Sequence, residues 1–588
     1  MEEFFRLVRG AMEEPDRTHV QIHHQCGACG YLFMSGDPIV ALVSLDGIVR
    51  PYKVGVFTKQ GNCDGPEDIS FKLCKHDCSS CLAAEETATF HMDCLNLFKN
   101  QCHVRDKYRR LWIAATNMYP WRRIRSLLLP HSEHGLWIAA REAFGFQDRL
   151  PPEIWEKIKG FVPSHVLWRY GSVMQLAREV NEAPLDEAVT YPLYEVESWT
   201  RGGQPTISMR ENMHFSAMRL TFDFRGIKRI DRVPVEAMMK VDGFENSRDQ
   251  AFVTQWAEHI SQVKVNFKFG RGRLDVPVNQ KMHIWDTPTP LGMIEHMPET
   301  PLRMRLVTIN TDPRYCTGIS FFSWNHATVA IFAHTKKQPS AVKTFRYFNN
   351  MHHSKLVWTY VPLTADDEVT AFGRRCSSSN LFGQMDVQLV LYKKSGRITI
   401  GTDSAPGTNE ILCMADQAAQ RYPILIHEVN YPFHSTAFVG LDPPSEIQQN
   451  VIPQSSLMTH QNNFSSAPLY DVVLAKVFKE VKTGLIKGIL LEYRDGSKKA
   501  LGQCRVGLDS VQSFTEPSFF HHTFVKLIPS RRHIRETAFA TFASRPTNPP
   551  GVTPPPAWWS FQMVGTLEVY FNFHQFRPKV VGGVRIQH

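Results

Sequence analysis

The sequence lacks any long apolar run. Its longest stretches, such as Gly488 to Leu491 and Leu127 to Leu129, fall far short of the ~20 residues that span a bilayer. A membrane-spanning helix is therefore not expected. A secretory leader is not expected either, because Glu2 and Glu3 stand where a signal would be positive and no apolar region follows them. Glu13, Glu14 and Asp16 make the first residues too acidic for a transit peptide. The expected location is the cytoplasm or nucleus, where clustered cysteines more often bind metal than pair as disulfides. The two signs of charge nearly balance, 66 Lys and Arg against 57 Asp and Glu, and a net +9 over 588 residues argues little for nucleic acid. There is no phosphate-binding P-loop, no Gly-x-Ser-x-Gly elbow, no protein-kinase motif set and no His-Glu-x2-His, which removes the common phosphoryl-transfer, hydrolase and metalloprotease signatures. The expectation is a non-enzymatic protein.

What is present is apolar substance and an uneven distribution of cysteine. Hydrophobic residues make up 43% of the chain, with 38 Phe, 12 Trp and 16 Tyr, enough for several packed cores. The length predicts about four domains. Eight of the twelve cysteines lie between Cys26 and Cys102. They read Cys26-x2-Cys29, then Cys63, Cys74 and Cys78-x2-Cys81, and finally His91-x2-Cys94. A Cys-x2-Cys pair in a turn closed by Gly27 and Gly30 brings two thiolates onto one tetrahedral ion. His91 and Cys94, three positions apart at the start of a predicted helix, fall on one face. Cys26, Cys29, His91 and Cys94 are thus predicted to hold one structural zinc. Cys63, Cys74, His76, Cys78 and Cys81 supply candidates for a second. Cys102 and His103 read as bystanders.

This order of knuckle, hairpins and ligand-bearing helix resembles the treble-clef zinc modules, including LIM and RING-type domains. The resemblance implies a small zinc-binding module over residues 20–104, and its RING-type member implies ubiquitin-ligase activity as an alternative function.

Residues 105–182 read as helical, with Leu111, Trp112, Ala115 and Met118 near the helical period. The basic residues from Arg105 to Arg125 are interleaved with Tyr108, Trp112, Tyr119 and Trp121. Core aromatics with solvated or paired arginines explain this pattern better than a nucleic-acid surface. Further on, Pro151, Pro152 and Glu153 open a helix whose Ile154, Ile158 and Phe161 form a stripe, and Val166, Leu167, Tyr170, Val173, Met174 and Ala177 continue an apolar face. Residues 150–177 resemble the opening of the F-box. That likeness implies that Leu150, Pro151, Ile154, Ile158 and Leu167 dock on a Skp-type adaptor, making the protein a substrate receptor of a cullin ubiquitin ligase. The same stripe could instead be buried against the chain's own β region. The whole arrangement also resembles a group of fungal proteins, a likeness that brings no activity with it.

Beyond residue 185 the chain turns to short β-branched and aromatic runs, such as Met218 to Phe224, Val263 to Phe269 and Ile319 to Phe322. Hairpin signals stand at Lys394-Ser395-Gly396 and at Asp495-Gly496. Two β-rich stretches, 185–415 and 416–588, are expected, either as separate domains or as continuations of the same sheets. The hairpin Leu490 to Ala500 resembles those of jacalin-like lectins, which implies a β-prism as one form of the sandwich-like region. Trp324, Trp358, Tyr360, Trp558 and Trp559 could line a carbohydrate face, although such residues are more often sheet core. The expected architecture is multidomain α+β: a zinc-binding treble clef, a short F-box-like helical segment and a large, mainly-β carboxyl region. Its expected role is protein interaction, with a carbohydrate ligand as a further alternative.

Overall fold

The computed structural model describes residues 18–45, 47–58, 63–64, 71–74, 86–122, 127, 129–131, 154, 166–183, 187–208, 216–234, 247, 249–280, 282–289, 305–324, 327–351, 355–376, 387–401, 409–416, 418, 421–429, 439–451, 463–530, 533–545 and 558–586. They are mainly β, in several sheets with few helices. The chain divides into two compact units, Met1–Pro290 with Glu299–Arg305, and Leu291–Pro298 with Leu306–His588. Among the described residues no helix is long and apolar enough to cross a membrane.

The first unit opens with β1 (Thr18–Gln21), β2 (Pro38–Leu45), β3 (Ile48–Phe57), β4 (Cys63–Asp64), β5 (Phe71–Cys74) and β6 (Ala88–His91). The run Ile39 to Val43, bounded in sequence by turn residues, is the buried centre of β2. A hairpin joins β2 to β3, and β6 pairs on the other side, giving the order β4-β3-β2-β6. Three described helices follow: α1 (Met92–Gln101), α2 (Lys107–Thr116) and α3 (Val166–Glu182). Their apolar stripes close one core, in which Phe98 of α1, Leu111 of α2, and Val173, Leu176, Ala177 and Val180 of α3 meet Ile39, Leu42 and Phe90.

The basic stretch is partly internal. Arg110 is buried, donates to Asp106 and to the carbonyls of Val180 and Ala183 at the end of α3, and stacks 4.5 Å from the Phe269 ring.

After α3 come β7 (Val189–Pro192), β8 (Val196–Thr200), β9 (Thr206–Ile207), β10 (Ser216–Asp223), β11 (Gly226–Pro234), β12 (Ala251–Trp256), β13 (Lys264–Lys268), β14 (Arg271–Asp275) and β15 (Ile284–Trp285). Neighbours run β9-β8-β11-β10-β12-β15 in one sheet and β14-β13-β7 in another. Trp199, Leu220, Phe222, Ile230, Val253 and Val265 lie in the core they enclose.

The second unit is built from antiparallel sheets and one described helix, α4 (Val342–Met351). The Lys394-Ser395-Gly396 and Asp495-Gly496 signals fall at the expected turns, between strands Val387–Lys393 and Gly396–Ile400 and between Ile486–Tyr493 and Lys498–Gly502. Phe345 and Phe348 of α4 pack with Phe322 and Trp358. A larger core holds Ile489, Leu491, Phe520, Phe542, Phe571 and Phe576.

Candidate metal centre

Cys26 and Cys29 occupy a tight turn between Gln25 and Leu32, which form an antiparallel bridge. The Cys26 N–H donates to Tyr31 O at 2.9 Å, and the Gly30 N–H to Cys26 O at 2.8 Å. Gly30 has φ +73°, a left-handed conformation that reverses the chain after Cys29 at no Cβ cost. His91 is the last residue of β6, held opposite Ile39 on β2, and it immediately precedes α1. Cys94 lies in the first turn of α1, three positions beyond His91.

These devices bring four ligand atoms, all buried, within 4.8 Å of one another. His91 Nδ1 is 3.5 Å from Cys29 Sγ and 3.7 Å from Cys94 Sγ. Metal–sulfur and metal–nitrogen lengths of ~2.3 and ~2.05 Å at the tetrahedral angle place such atoms about 3.6 Å apart. The cluster could hold one metal ion, and no disulfide joins the described cysteines.

The donors are electrostatically coupled. Burial opposes ionisation of Cys26, yet hydrogen bonds with Cys29 and Cys94 and the charge on His91 hold its thiol well below the usual value. Burial and Cys26 push Cys29 up, and the hydrogen bond with Cys26 is the largest cause pushing Cys94 up. Against burial, the Cys26 thiolate and Asp37 push His91 up to about 9. Three thiols compete for one negative charge, a conflict that a divalent cation removes by stabilising every thiolate and displacing the imidazole proton.

Neighbours orient these groups. His91 Nε2 donates to Asp37 Oδ2 at 3.2 Å, which leaves Nδ1 as the metal-facing nitrogen. The same Asp37 oxygen accepts the Met34 N–H at 2.7 Å. Arg169 of α3 donates to Cys94 Sγ at 3.5 Å and to Asp93 Oδ1 at 2.5 Å, and Tyr170 donates to Asp93 Oδ2 at 3.2 Å. The ring of Phe33 lies edge-on to His91, 4.6 Å between centroids. Motif spacing reveals none of these partners: Asp37 reads as turn punctuation, and Arg169 sits in a helix conspicuous for its apolar stripe.

Of the other predicted ligands, Cys74 is the one whose side chain is described, and it is not part of this cluster. Cys74 ends β5 and is buried, and Cys63 lies in β4. His76, Cys78 and Cys81 fall outside the described residues, as does the side chain of Cys63. Cys102 is buried at the end of α1, and His103 is exposed. Among the predicted adaptor contacts, Leu150, Pro151 and Ile158 lie outside the described residues. Ile154 is helical and 39% exposed, and Leu167 is half-buried on α3. Of the aromatics, Trp358 is fully buried, Trp324 and Tyr360 are half-buried, and Trp559 is 39% exposed.

Comparison with protein-family models and with curated proteins finds no match for this chain.

Proposed function

We propose that Cys26, Cys29, His91 and Cys94 hold a structural zinc ion in a treble-clef module, and that the chain is a non-enzymatic interaction protein. The observation that carries the metal reading is the pair of nitrogen–sulfur distances, 3.5 and 3.7 Å, inside a fully buried set of four donors. Three thiolates and one imidazole in tetrahedral array suit zinc. Four protein donors fill the coordination shell and leave no position for a reacting water, so the role is structural. The order of knuckle, hairpin, and a strand end and helix start that carry His91 and Cys94 supports the treble-clef reading. Zinc would add folding free energy by tying the Cys26–Cys29 turn to the end of β6 and the start of α1.

The packing of α3 bears on how partners are engaged. Val173, Leu176, Ala177 and Val180 line the module's own core, which favours α3 as an internal brace. Docking of a Skp-type adaptor then rests on Ile154, Leu167 and the residues around them.

Metal analysis of the purified full chain tests the zinc assignment. The double variant Cys26→Ser/Cys29→Ser is expected to lose one equivalent relative to wild type, and cobalt substitution of the wild type should give tetrahedral thiolate bands. Wild-type protein without zinc, or a double variant with undiminished zinc, overturns the reading. Chelation should also open residues 86–122 to protease, and unchanged resistance there would remove the structural role.

A further inference from the structure

One sheet of the second unit ends in an unguarded edge. Strand Ser510–Thr515 closes the order Lys498–Gly502, Ile486–Tyr493, Val472–Lys479, Ser510–Thr515. It pairs antiparallel with Val472–Lys479, and no described strand lies on its other side. Five of its six residues are exposed, with Val511 at 48%. Soluble proteins commonly blunt such an edge with lysine, proline or a bulge. Ser-Val-Gln-Ser-Phe-Thr carries no charge and no proline, and its register with Val472–Lys479 runs without a shift.

Register decides which backbone groups face outward. The Glu516 N–H donates to Val473 O at 2.8 Å, so these two opposed residues form a hydrogen-bonded pair. Such pairs recur at every second position, hence at Phe514–Ala475, Gln512–Val477 and Ser510–Lys479. Val511, Ser513 and Thr515 therefore turn both N–H and C=O away from the sheet, and they are evenly spaced about Ser513. An antiparallel second copy of the strand, related by a two-fold axis through Ser513, sets Val511 of one copy opposite Thr515 of the other, and Ser513 opposite its own counterpart. Every outward group is then used, with two hydrogen bonds for each of the three opposed pairs.

The same register suits the side chains. A two-fold axis perpendicular to a sheet preserves its faces, so the β-branched Val511 and Thr515 meet as a cross-strand pair. No like charges oppose one another: Lys476, opposite Ser513 on that face, is held by Glu492 at 2.7 Å, and Asp509, just before the strand, is held by Arg505 at 2.6 Å. A charged edge would select an oppositely charged partner, whereas a neutral edge that matches itself selects a copy. We propose that the chain forms a two-fold homodimer through Ser510–Thr515, joining two four-stranded sheets into one continuous sheet. The edge lies in the second unit, and the proposal is independent of the zinc reading.

The test is sedimentation velocity of the full chain from about 1 to about 100 µM, the range in which a small interface associates. A concentration-dependent dimer is expected. Ser513→Pro removes an N–H that the strand's own ladder does not use, so the variant should fold while its dimer weakens about tenfold or more. Ser513→Lys sets two ammonium groups opposite one another on the axis and should weaken the dimer similarly. Register is read by crosslinking. Opposed residues of a hydrogen-bonded pair have Cα atoms about 5.5 Å apart, within disulfide reach. Under mild oxidation Ser513→Cys should form a covalent dimer about tenfold faster than Val511→Cys, whose two copies stand about 13 Å apart along the strands. A chain that stays monomeric throughout, leaving the edge to a strand from another protein, overturns the proposal. So does a dimer that neither Ser513→Pro nor Ser513→Lys weakens, or equal crosslinking of the two cysteine variants.

Discussion

The carboxylate of Asp37 stands 3.2 Å from Nε2 of His91 across 54 residues of chain, while the other ring nitrogen faces two thiols. A charged acceptor at that distance fixes the tautomer in which Nδ1 carries the lone pair, and it raises the basicity of the donor nitrogen.

Replacing Asp37 by Asn keeps an acceptor for the Met34 amide but removes the charge behind the imidazole. Loss of such an outer partner typically lowers metal affinity about 10- to 100-fold. Asp37→Asn should therefore release zinc to a chromophoric chelator at correspondingly lower chelator concentration. Competition curves that superimpose on wild type would mean that Asp37 serves only the Met34 turn.

Glu179 joins α3 to the β-sheets of the first unit. Its carboxylate pairs with Arg225, at the β10–β11 turn, and with Arg271 of β14 at 2.6 Å. Arg225 also donates to Ser172 O at 3.0 Å, and both guanidinium side chains are only 7% exposed. Removing one partner from a fully buried charge cluster costs ~3–5 kcal/mol. The Glu179 side chain is 36% exposed, so water screens the loss and Glu179→Gln should cost about 1–3 kcal/mol. A lower thermal midpoint with unchanged zinc content is the expected pattern. An unaltered midpoint would show that solvent already balances the two arginines.

The contrast between these residues and the cysteines explains what was legible in the sequence. Cys26-x2-Cys29 and His91-x2-Cys94 are local patterns, each readable because a turn or a helix start converts spacing into direction. The Asp495-Gly496 turn and the run from Ile39 to Val43 are local in the same sense. Glu179 meets Arg225 and Arg271 from 46 and 92 positions away, and Arg169 reaches Cys94 from 75. No period encodes such distances. The stripe on α3 is also plain in the sequence, but what covers Val173 and Leu176 depends on how α1 and β2 pack.

His522 carries a pH dependence that is confined to the second unit. It lies in a strand, Phe519–Ser530, opposite Trp559, and it stacks on Trp559 and Phe561 at 6.2 and 5.8 Å between centroids. Burial, with a smaller contribution from Arg585, pushes its pKa down to about 4. The unfolded chain takes up a proton near pH 6.5, whereas the folded chain resists it, so protonation favours unfolding. The stabilisation from neutral His522 is complete above about pH 6.5 and is lost as pH falls toward 4, at up to ~1.4 kcal/mol per pH unit. His522→Phe preserves a ring of similar shape and removes the titration. Between pH 6.5 and 5 the thermal midpoint of the second unit should fall less steeply in the variant than in wild type. Parallel slopes would show that the imidazole reaches water and titrates alike in both states.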